Sequence, residues 1–111
     1  MLGPYTDPSD RRLHLSLDDV RVDAVPGPRR LKIGVAPGGG RLSYRKDRDL
    51  FEKHAVVDAE ASYADLGAAI QVFVCDEFCE LETLGPLREI APGDATRHRE
   101  RWTLRSVGDD A

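Results

Sequence analysis

Apolar and polar residues alternate along most of this 111-residue chain. The alternation runs through LHLSL (13–17), DDVRVDAV (18–25), LKIGVA (31–36), FCELETL (78–84) and TRHRERWTLRSV (96–107). Because successive side chains of a strand point to opposite faces, a period of two predicts half-buried β-strands. Turn residues separate these segments at intervals of about 8–12 residues, as in antiparallel all-β domains. The sequence therefore predicts about eight strands in an antiparallel β-sandwich.

Other segments complete this prediction. RLSYRK (41–46) and LFEKHAVV (50–57) predict a hairpin, and PLREI (86–90) predicts a short strand. AAIQVFVC (68–75) is apolar on both faces, which indicates a central strand covered on both sides. DAEASYADLGA (58–68) is expected to be an irregular loop, because it is short and contains a glycine. From the alternation, eight residues are expected on inward faces: Leu13, Leu15, Leu17, Val20, Val22, Leu31, Ile33 and Val35.

Glycine and proline mark the connections between the predicted strands. PGP (26–28) and PGGG (37–40) are expected to be turns, and Asp76-Glu77 a two-residue turn. Gly85-Pro86 ends the FCELETL strand, because proline cannot donate to a sheet ladder. A chain of this size can bury a hydrophobic core without disulfides or bound metals. Residues 1–111 are therefore expected to form one domain, with residues 1–10 irregular.

Charge and cysteine content exclude several classes of protein. The net charge is −4 and the pI is about 5.3, which argues against general affinity for nucleic acid or an acidic membrane. The chain has no apolar run of the roughly 20 residues that a membrane helix needs, and no secretory signal pattern, so a cytoplasmic location is expected. On one continuous strand Cys75 and Cys79 would lie about 13 Å apart, too far for a disulfide unless a hairpin separates them. They are expected to be small buried apolar residues, and no metal or cofactor is expected.

Two glutamates are the first candidates for chemistry. Glu80 and Glu82 are two residues apart on a predicted strand, so they share a face with Phe78 and Leu84. Like charges on a partly apolar surface raise at least one carboxyl pKa, which suits a general acid or base. The alternative is a solvated face on which the glutamates pair with arginines.

Basic residues form the second set of candidates. Lys32 and Lys53 lie within predicted strands, where they either extend to solvent or bind hydroxyl or carboxylate groups of a ligand. Arg97, Arg99, Arg101 and Arg105 share one face of the last predicted strand. They could bind phosphate or nucleic acid, but the acidic balance favours a charged face that protects an exposed sheet edge.

The C-terminal half resembles the end of the galactose mutarotase-like (aldose 1-epimerase) superfamily. The residues that carry this resemblance are FCELETLGPL, then IAPGDA, then HRERWTL. Upstream, Lys32, Tyr44, Phe51-Glu52-Lys53 and Tyr63-Ala64-Asp65-Leu66-Gly67 follow the order found in an uncharacterised branch of that superfamily. The resemblance runs from about residue 10 onward and implies the C-terminal part of a supersandwich more than twice this length.

The resemblance also implies roles for individual residues. Glu82 is similar in position to the glutamate that takes the anomeric hydroxyl proton, and Glu80 would be its neighbour on the same face. Lys32 and Lys53 would contact sugar hydroxyls. The family's Glu-Pro-Gln reads here as Glu82-Thr83-Leu84, and the family's histidine acid has no counterpart in this chain.

Two functions from different classes therefore remain. The first is a carbohydrate-interacting β-sandwich domain related to aldose 1-epimerases that lacks a complete catalytic site by itself. Isomerase activity would then need a complementing chain, because mutarotation needs a base and an acid. The alternative is an interaction module that dimerises or complements another chain through exposed sheet edges.

Overall fold

Residues 7–27, 29–35 and 40–107 are described by a computed structural model of the chain. Within these residues the chain forms eight strands and one short helical turn. In chain order they are β1 (Leu13–Leu15), β2 (Val20–Val22), β3 (Leu31–Val35), β4 (Arg41–Lys46), β5 (Asp49–His54), α1 (Ala64–Gly67), β6 (Ile70–Val74), β7 (Cys79–Thr83) and β8 (Arg101–Ser106). The chain is thus mostly β, as the alternation predicted.

The strands form three small sheets, β1-β2, β3-β6-β7 and β4-β5-β8. The β1–β2, β4–β5 and β5–β8 pairs are antiparallel. In the third sheet Lys53 lies opposite Leu42 of β4 on one side and Trp102 of β8 on the other. The prediction of an all-β chain with antiparallel sheets is therefore confirmed.

The contacts of the chain group it into two compact units, and the expectation of one domain over residues 1–111 stays a prediction. The first unit comprises residues up to 34 together with 71–82, and the second comprises 35–70 together with the residues from 83 onward. β1, β2 and most of β3, β6 and β7 belong to the first unit, whereas β4, β5 and β8 belong to the second.

The first unit contains the predicted central strand. β6 lies between β3 and β7, and its buried residues include Gln71 and Val74, while Leu31 of β3 is also buried. The Cys75 N–H donates to the Phe78 carbonyl at 3.0 Å, so Asp76-Glu77 forms the expected hairpin turn. Apolar residues on both faces of AAIQVFVC therefore predicted the central position of β6 correctly.

A buried arginine connects three segments of the first unit. Arg12 donates two side-chain hydrogen bonds to the Asp10 carboxylate, from Nε to Oδ1 at 3.0 Å and from Nη2 to Oδ2 at 2.8 Å. Its guanidinium also donates to the backbone carbonyls of Val25 and Arg29. The side chains of Arg12 and Asp10 are only 6% and 9% exposed. Because buried charges are stable only when paired, this network holds the residues before β1 against those after β2.

The second unit is built on the predicted hairpin of β4 and β5. Asp47 occupies the left-handed region in the turn, with φ of 54°. At the other end of the hairpin, the Ala55 N–H donates to the Gly40 carbonyl at 2.9 Å. Gly40 has φ of +66°, and a Cβ there would lie 1.9 Å from the Ala55 carbonyl oxygen, so only glycine fits. Leu42, Ala55, Tyr63 and Ala68 are buried in this unit.

Several expectations about strands are wrong. β1 ends at Leu15, and Leu15 and Leu17 are exposed, because Ser16 and Asp19 form a turn in which the Ser16 N–H donates to the Asp19 carbonyl. PLREI forms no strand, and the Leu87 N–H donates to the Ser62 carbonyl in a loop instead of a ladder.

The last strand and the single helical turn also differ in detail from regular elements. β8 begins at residue 101, whereas the alternation predicted a strand from residue 96. Asp65 and Leu66 of α1 have left-handed backbone conformations, so the segment is irregular, as expected. Residues 1–6, Pro28, Ala36 and residues 37–39 lie outside the described residues, so the expectations for them stay predictions.

Candidate functional site

Two of the predicted site residues meet on the first unit's three-stranded sheet. Lys32 lies on β3 and Glu82 on β7, with β6 between them. The Lys32 Nζ and Glu82 Oε1 atoms are 4.0 Å apart, and their side chains are 28% and 34% exposed. Glu80 lies two residues earlier on β7 and is exposed. The structure therefore brings Lys32 and Glu82 together as a loose, half-exposed ion pair.

The fourth predicted residue, Lys53, belongs to β5 of the second unit. Its side chain is 14% exposed, and its Nζ lies 3.6 Å from Oε2 of Glu100. The same Nζ lies 5.2 Å from the centre of the Trp102 ring, within the range of a cation–π interaction. The structure thus pairs Lys53 with a carboxylate and an aromatic ring that the sequence did not single out as its partners.

Five side chains make up this arrangement, which we call the Glu100 cluster: Lys53, Thr83, His98, Glu100 and Trp102. The Trp102 Nε1–H donates to Oε1 of Glu100 at 3.0 Å, and the Thr83 hydroxyl donates to Oε2. Thr83 Oγ1 and His98 Nε2 are 2.7 Å apart. A hydroxyl has one proton, so if Thr83 donates to Glu100 it accepts from the Nε2–H of His98.

The surroundings of Glu100 determine its protonation. Burial acts to raise the pKa of Glu100, but the hydrogen bonds from Thr83 and Trp102 and the charges of Lys53 and His98 outweigh it. The pKa of Glu100 is therefore lower than its ordinary value, and the group is an ionised acceptor at neutral pH. A general acid needs the opposite shift, so Glu100 is suited to binding or structure.

The strands explain how the cluster forms. Lys53 and Trp102 are direct cross-strand partners, so their side chains lie on the same face of the β4-β5-β8 sheet. Phe51 supports Trp102 from the same face, with ring centres 5.7 Å apart and planes at 77°. Sequence analysis did not identify Glu100, Thr83 or His98. The sequence signal that could have identified Glu100 is the Glu-x-Trp spacing of residues 100–102, at the start of β8.

β8 is the second notable feature of this sheet. It lies at the sheet edge, beside β5, and all six of its residues are exposed. Trp102 is 63% and Leu104 71% exposed, although both are large and apolar. We call this surface, Arg101 to Ser106, the β8 edge.

The backbone geometry of β8 shows which of its N–H groups point away from β5. The Val107 N–H donates to the Arg48 carbonyl at 2.7 Å, toward the β5 side. Because N–H groups alternate in direction along a strand, those of Thr103 and Arg105 also point toward β5. Those of Trp102 and Leu104 then point away from the sheet. Among the described residues their backbone donors and acceptors have no partner strand, as is typical of an edge strand.

The arginines of β8 occupy the opposite face from Trp102 and Leu104. Arg105 lies 3.3 Å from Glu52 through Nη2, while Arg101 is exposed. Their position fits the interpretation of a charged face at a sheet edge. Arg97 and Arg99 precede the strand, so they do not extend that face as a regular stripe.

The cysteines are free and partly exposed at the two ends of the β6–β7 turn. Burial raises the pKa of the Cys79 thiol, and the neighbouring Cys75 adds to this effect.

Among residues 7–27, 29–35 and 40–107, no group of three or more metal-ligating side chains forms. In that part of the chain, no helix is both long and apolar enough to cross a membrane.

Comparison with protein-family models, with curated proteins and with solved structures finds no match to this chain.

Proposed function

We propose that this chain is a protein-interaction module that binds an extended segment of another polypeptide by adding a strand to the β8 edge. The observation that carries the proposal is the edge itself. Trp102 and Leu104 combine exposed apolar side chains with outward-pointing N–H groups on one strand. In strand addition, backbone hydrogen bonds supply affinity and alternate side chains supply specificity.

The energetics favour an occupied edge. Fully covering a large apolar side chain stabilises by about 1.5–3 kcal/mol, so covering the exposed parts of Trp102 and Leu104 should contribute about 1–2 kcal/mol each. The lysine and phenylalanine beside Trp102 fix its ring before binding, which reduces the entropy lost on association.

Charge indicates the chemistry of the partner. In a symmetric antiparallel pair of two β8 strands, the register that places Trp102 opposite Leu104 also places Arg101 opposite Arg105. Like charges directly opposite each other destabilise a strand pair. A partner strand that alternates acidic and apolar residues meets both faces instead, with carboxylates toward the arginines and apolar groups toward Trp102 and Leu104. The proposed partner is therefore an acidic, extended peptide, and self-association is the outcome against it.

The test uses a synthetic peptide in which glutamate alternates with valine or isoleucine. Trp102 is the only tryptophan, so its emission reports binding directly. We expect a saturable shift of the emission to shorter wavelength as the ring is covered. A peptide of the same composition with its acidic residues grouped at one end serves as the control and should bind at least tenfold more weakly.

Two substitutions at one position separate strand addition from simple apolar contact. Leu104→Ala removes the side chain, whereas Leu104→Pro also removes the outward N–H while leaving the β5–β8 ladder intact. We expect Leu104→Pro to bind several-fold more weakly than Leu104→Ala, with both variants folded by circular dichroism. Equal affinities would eliminate backbone pairing as the mode of binding.

The second proposal is carbohydrate binding. The exposed ring of Trp102 next to the ionised Glu100 carboxylate and the Lys53 ammonium favours it, because one apolar face and a few fixed polar groups are typical of small-ligand sites. In this proposal the chain has the antiparallel β-sandwich of the C-terminal part of a mutarotase-like fold, and Glu82, Glu80 and Lys32 contact a sugar on the other unit. Both proposals place the chain in the cytoplasm.

Sugar titrations distinguish the two proposals. A panel of aldoses monitored by calorimetry should give weak, saturable binding that Glu100→Gln reduces if the sugar occupies the Glu100 cluster. Loss of binding in Glu82→Gln would place the sugar at β7 instead. An anomerisation rate by polarimetry that is the same in wild type and Glu82→Gln would exclude Glu82 as a base.

A further inference from the structure

We propose a separate binding site for a small phosphate-bearing molecule in the second unit. A groove of about 590 Å³ lies there, which we call the arginine groove. Four arginines line it, namely Arg88, Arg97, Arg99 and Arg101, together with His54 and His98. Of the residues that line this groove, only Arg101 also belongs to the β8 edge, so the inference does not rest on the proposed strand addition.

The arginines of the groove are not paired with a carboxylate in the described part of the chain. All four are exposed, and none of them takes part in an ion pair there. Four like charges in one groove repel each other, and a chain that carries a net charge of −4 has enough carboxylates to neutralise them. Because four arginines without an ion pair line the same concavity, an external anion is the counter-charge that this groove would bind.

The carboxylates of the groove leave its excess charge in place. Asp58 and Glu100 also line it. Four arginines against these two carboxylates leave a formal excess of two positive charges. Glu100 is already occupied by Thr83, Trp102 and Lys53. The Oδ1 atom of Asp58 accepts a hydrogen bond from the Glu60 N–H at 2.9 Å.

Size and charge together define the ligand. The volume lies within the range of about 300–1,000 Å³ that is typical of small-molecule sites. An excess of two charges matches one phosphate dianion, and guanidinium groups bind phosphate oxygens in pairs. Val56, Tyr63 and Pro86 add apolar surface for an organic part. A long polyanion such as a nucleic acid needs a longer basic track, and the acidic remainder of the chain repels it.

The test compares phosphoserine, inorganic phosphate and serine by calorimetry at low ionic strength. The groove variant is Arg97→Gln with Arg99→Gln, which leaves β8 unchanged. The matched control is Arg21→Gln with Arg41→Gln, which removes the same charge from exposed strand positions outside the groove. Because both pairs are exposed, circular dichroism should show that both variants fold.

We expect saturable binding of phosphoserine and none of serine, whether or not inorganic phosphate binds equally well. The groove variant should lose at least about tenfold in affinity, since hydrogen bonds between charged groups are each worth about that factor. The control should stay within about twofold of wild type. An absence of saturable binding, or an equal loss in the control, would overturn the proposal. Tight binding of a single-stranded oligonucleotide without binding of phosphoserine would overturn it as well, in favour of a polyanion surface.

Discussion

Removing the charge of Asp10 should destabilise the first unit strongly. Asp10→Asn keeps the shape of the side chain but replaces Oδ2 with an amide that cannot accept the 2.8 Å hydrogen bond from Arg12 Nη2. The bond to Oδ1 from Arg12 Nε, at 3.0 Å, survives. The guanidinium, which is 6% exposed, then loses the only anion with which it forms an ion pair among the described residues.

The expected cost follows from these contacts. One hydrogen bond between charged groups is worth about 1.5–3 kcal/mol, and breaking a buried ion pair costs about 3–5 kcal/mol. Arg12 keeps the carbonyls of Val25 and Arg29 as partners, so the lower end, about 3 kcal/mol, applies. For a chain of this size that loss lowers the melting temperature by about 12–20 °C.

The effect should also depend on pH. Hydrogen bonding to Arg12 is the main reason that the pKa of Asp10 lies below its ordinary value of 3.8. A carboxyl with a lowered folded-state pKa stabilises the fold above its unfolded pKa, and that stability is lost as the pH falls through the folded value. The difference between wild type and Asp10→Asn should therefore be full at neutral pH and shrink below pH 3.8.

Urea unfolding followed by far-ultraviolet circular dichroism measures this difference. Trp102 lies in the second unit, so its emission coincides with the circular dichroism only if both units unfold together. Asp23→Asn is the control, because the His14–Asp23 pair has a similar distance, 2.8 Å, but side chains that are 41% and 47% exposed. Its cost should stay below about 1 kcal/mol. Equal costs for the two variants would refute the importance assigned to burial of the Arg12 network.

Two further predictions concern the second unit. Gly40→Ala should destabilise it by more than about 3 kcal/mol in urea unfolding, whereas Gly93→Ala should cost only about 1–2 kcal/mol. Both glycines have positive φ, but only at Gly40 would a Cβ meet backbone, the Ala55 carbonyl, so similar costs would contradict the close approach. Thr83→Val should raise the pKa of Glu100 measured by nuclear magnetic resonance, because burial would no longer be offset by the Thr83 hydroxyl. An unchanged pKa would remove Thr83 from the cluster.

The sequence predicted those parts of the fold that depend on local pattern. The β4–β5 hairpin and the central β6 follow from alternation and from a strand that is apolar on both faces. The Asp76-Glu77 turn follows from its place between two apolar runs. These features are specified within a few residues of each other, so no tertiary information is needed to find them.

Expectations failed where a contact from elsewhere outcompeted the local pattern. PLREI alternates like a strand, but its Leu87 N–H bonds to the Ser62 carbonyl, a residue far away in sequence. Leu15 and Leu17 alternate with polar residues, yet the Ser16–Asp19 turn ends β1 before the pattern does. In both cases the hydrogen-bond partner decides the structure, and alternation does not identify that partner.

The candidate site was predictable only in part for the same reason. The sequence identified Lys32, Lys53, Glu80 and Glu82 by residue type and position on strands. It could not reveal that Lys53 pairs with Glu100, because this contact depends on the β5–β8 register and on the segment that precedes β8. The sequence also could not show that Trp102 and Leu104 are exposed. An apolar strand face gives the same alternation of apolar and polar residues whether or not another element covers it.

Amide hydrogen exchange at single-residue resolution tests strand addition to β8 most directly. In the free protein the amides of Trp102 and Leu104 should exchange fast, and those of Thr103 and Arg105 slowly, because only the latter point toward β5. Saturation with the alternating acidic peptide should slow exchange at Trp102 and Leu104 by at least tenfold and leave Thr103 and Arg105 unchanged. Bound peptide with unaltered exchange at Trp102 and Leu104 would show that the edge of β8 is not where a partner strand pairs.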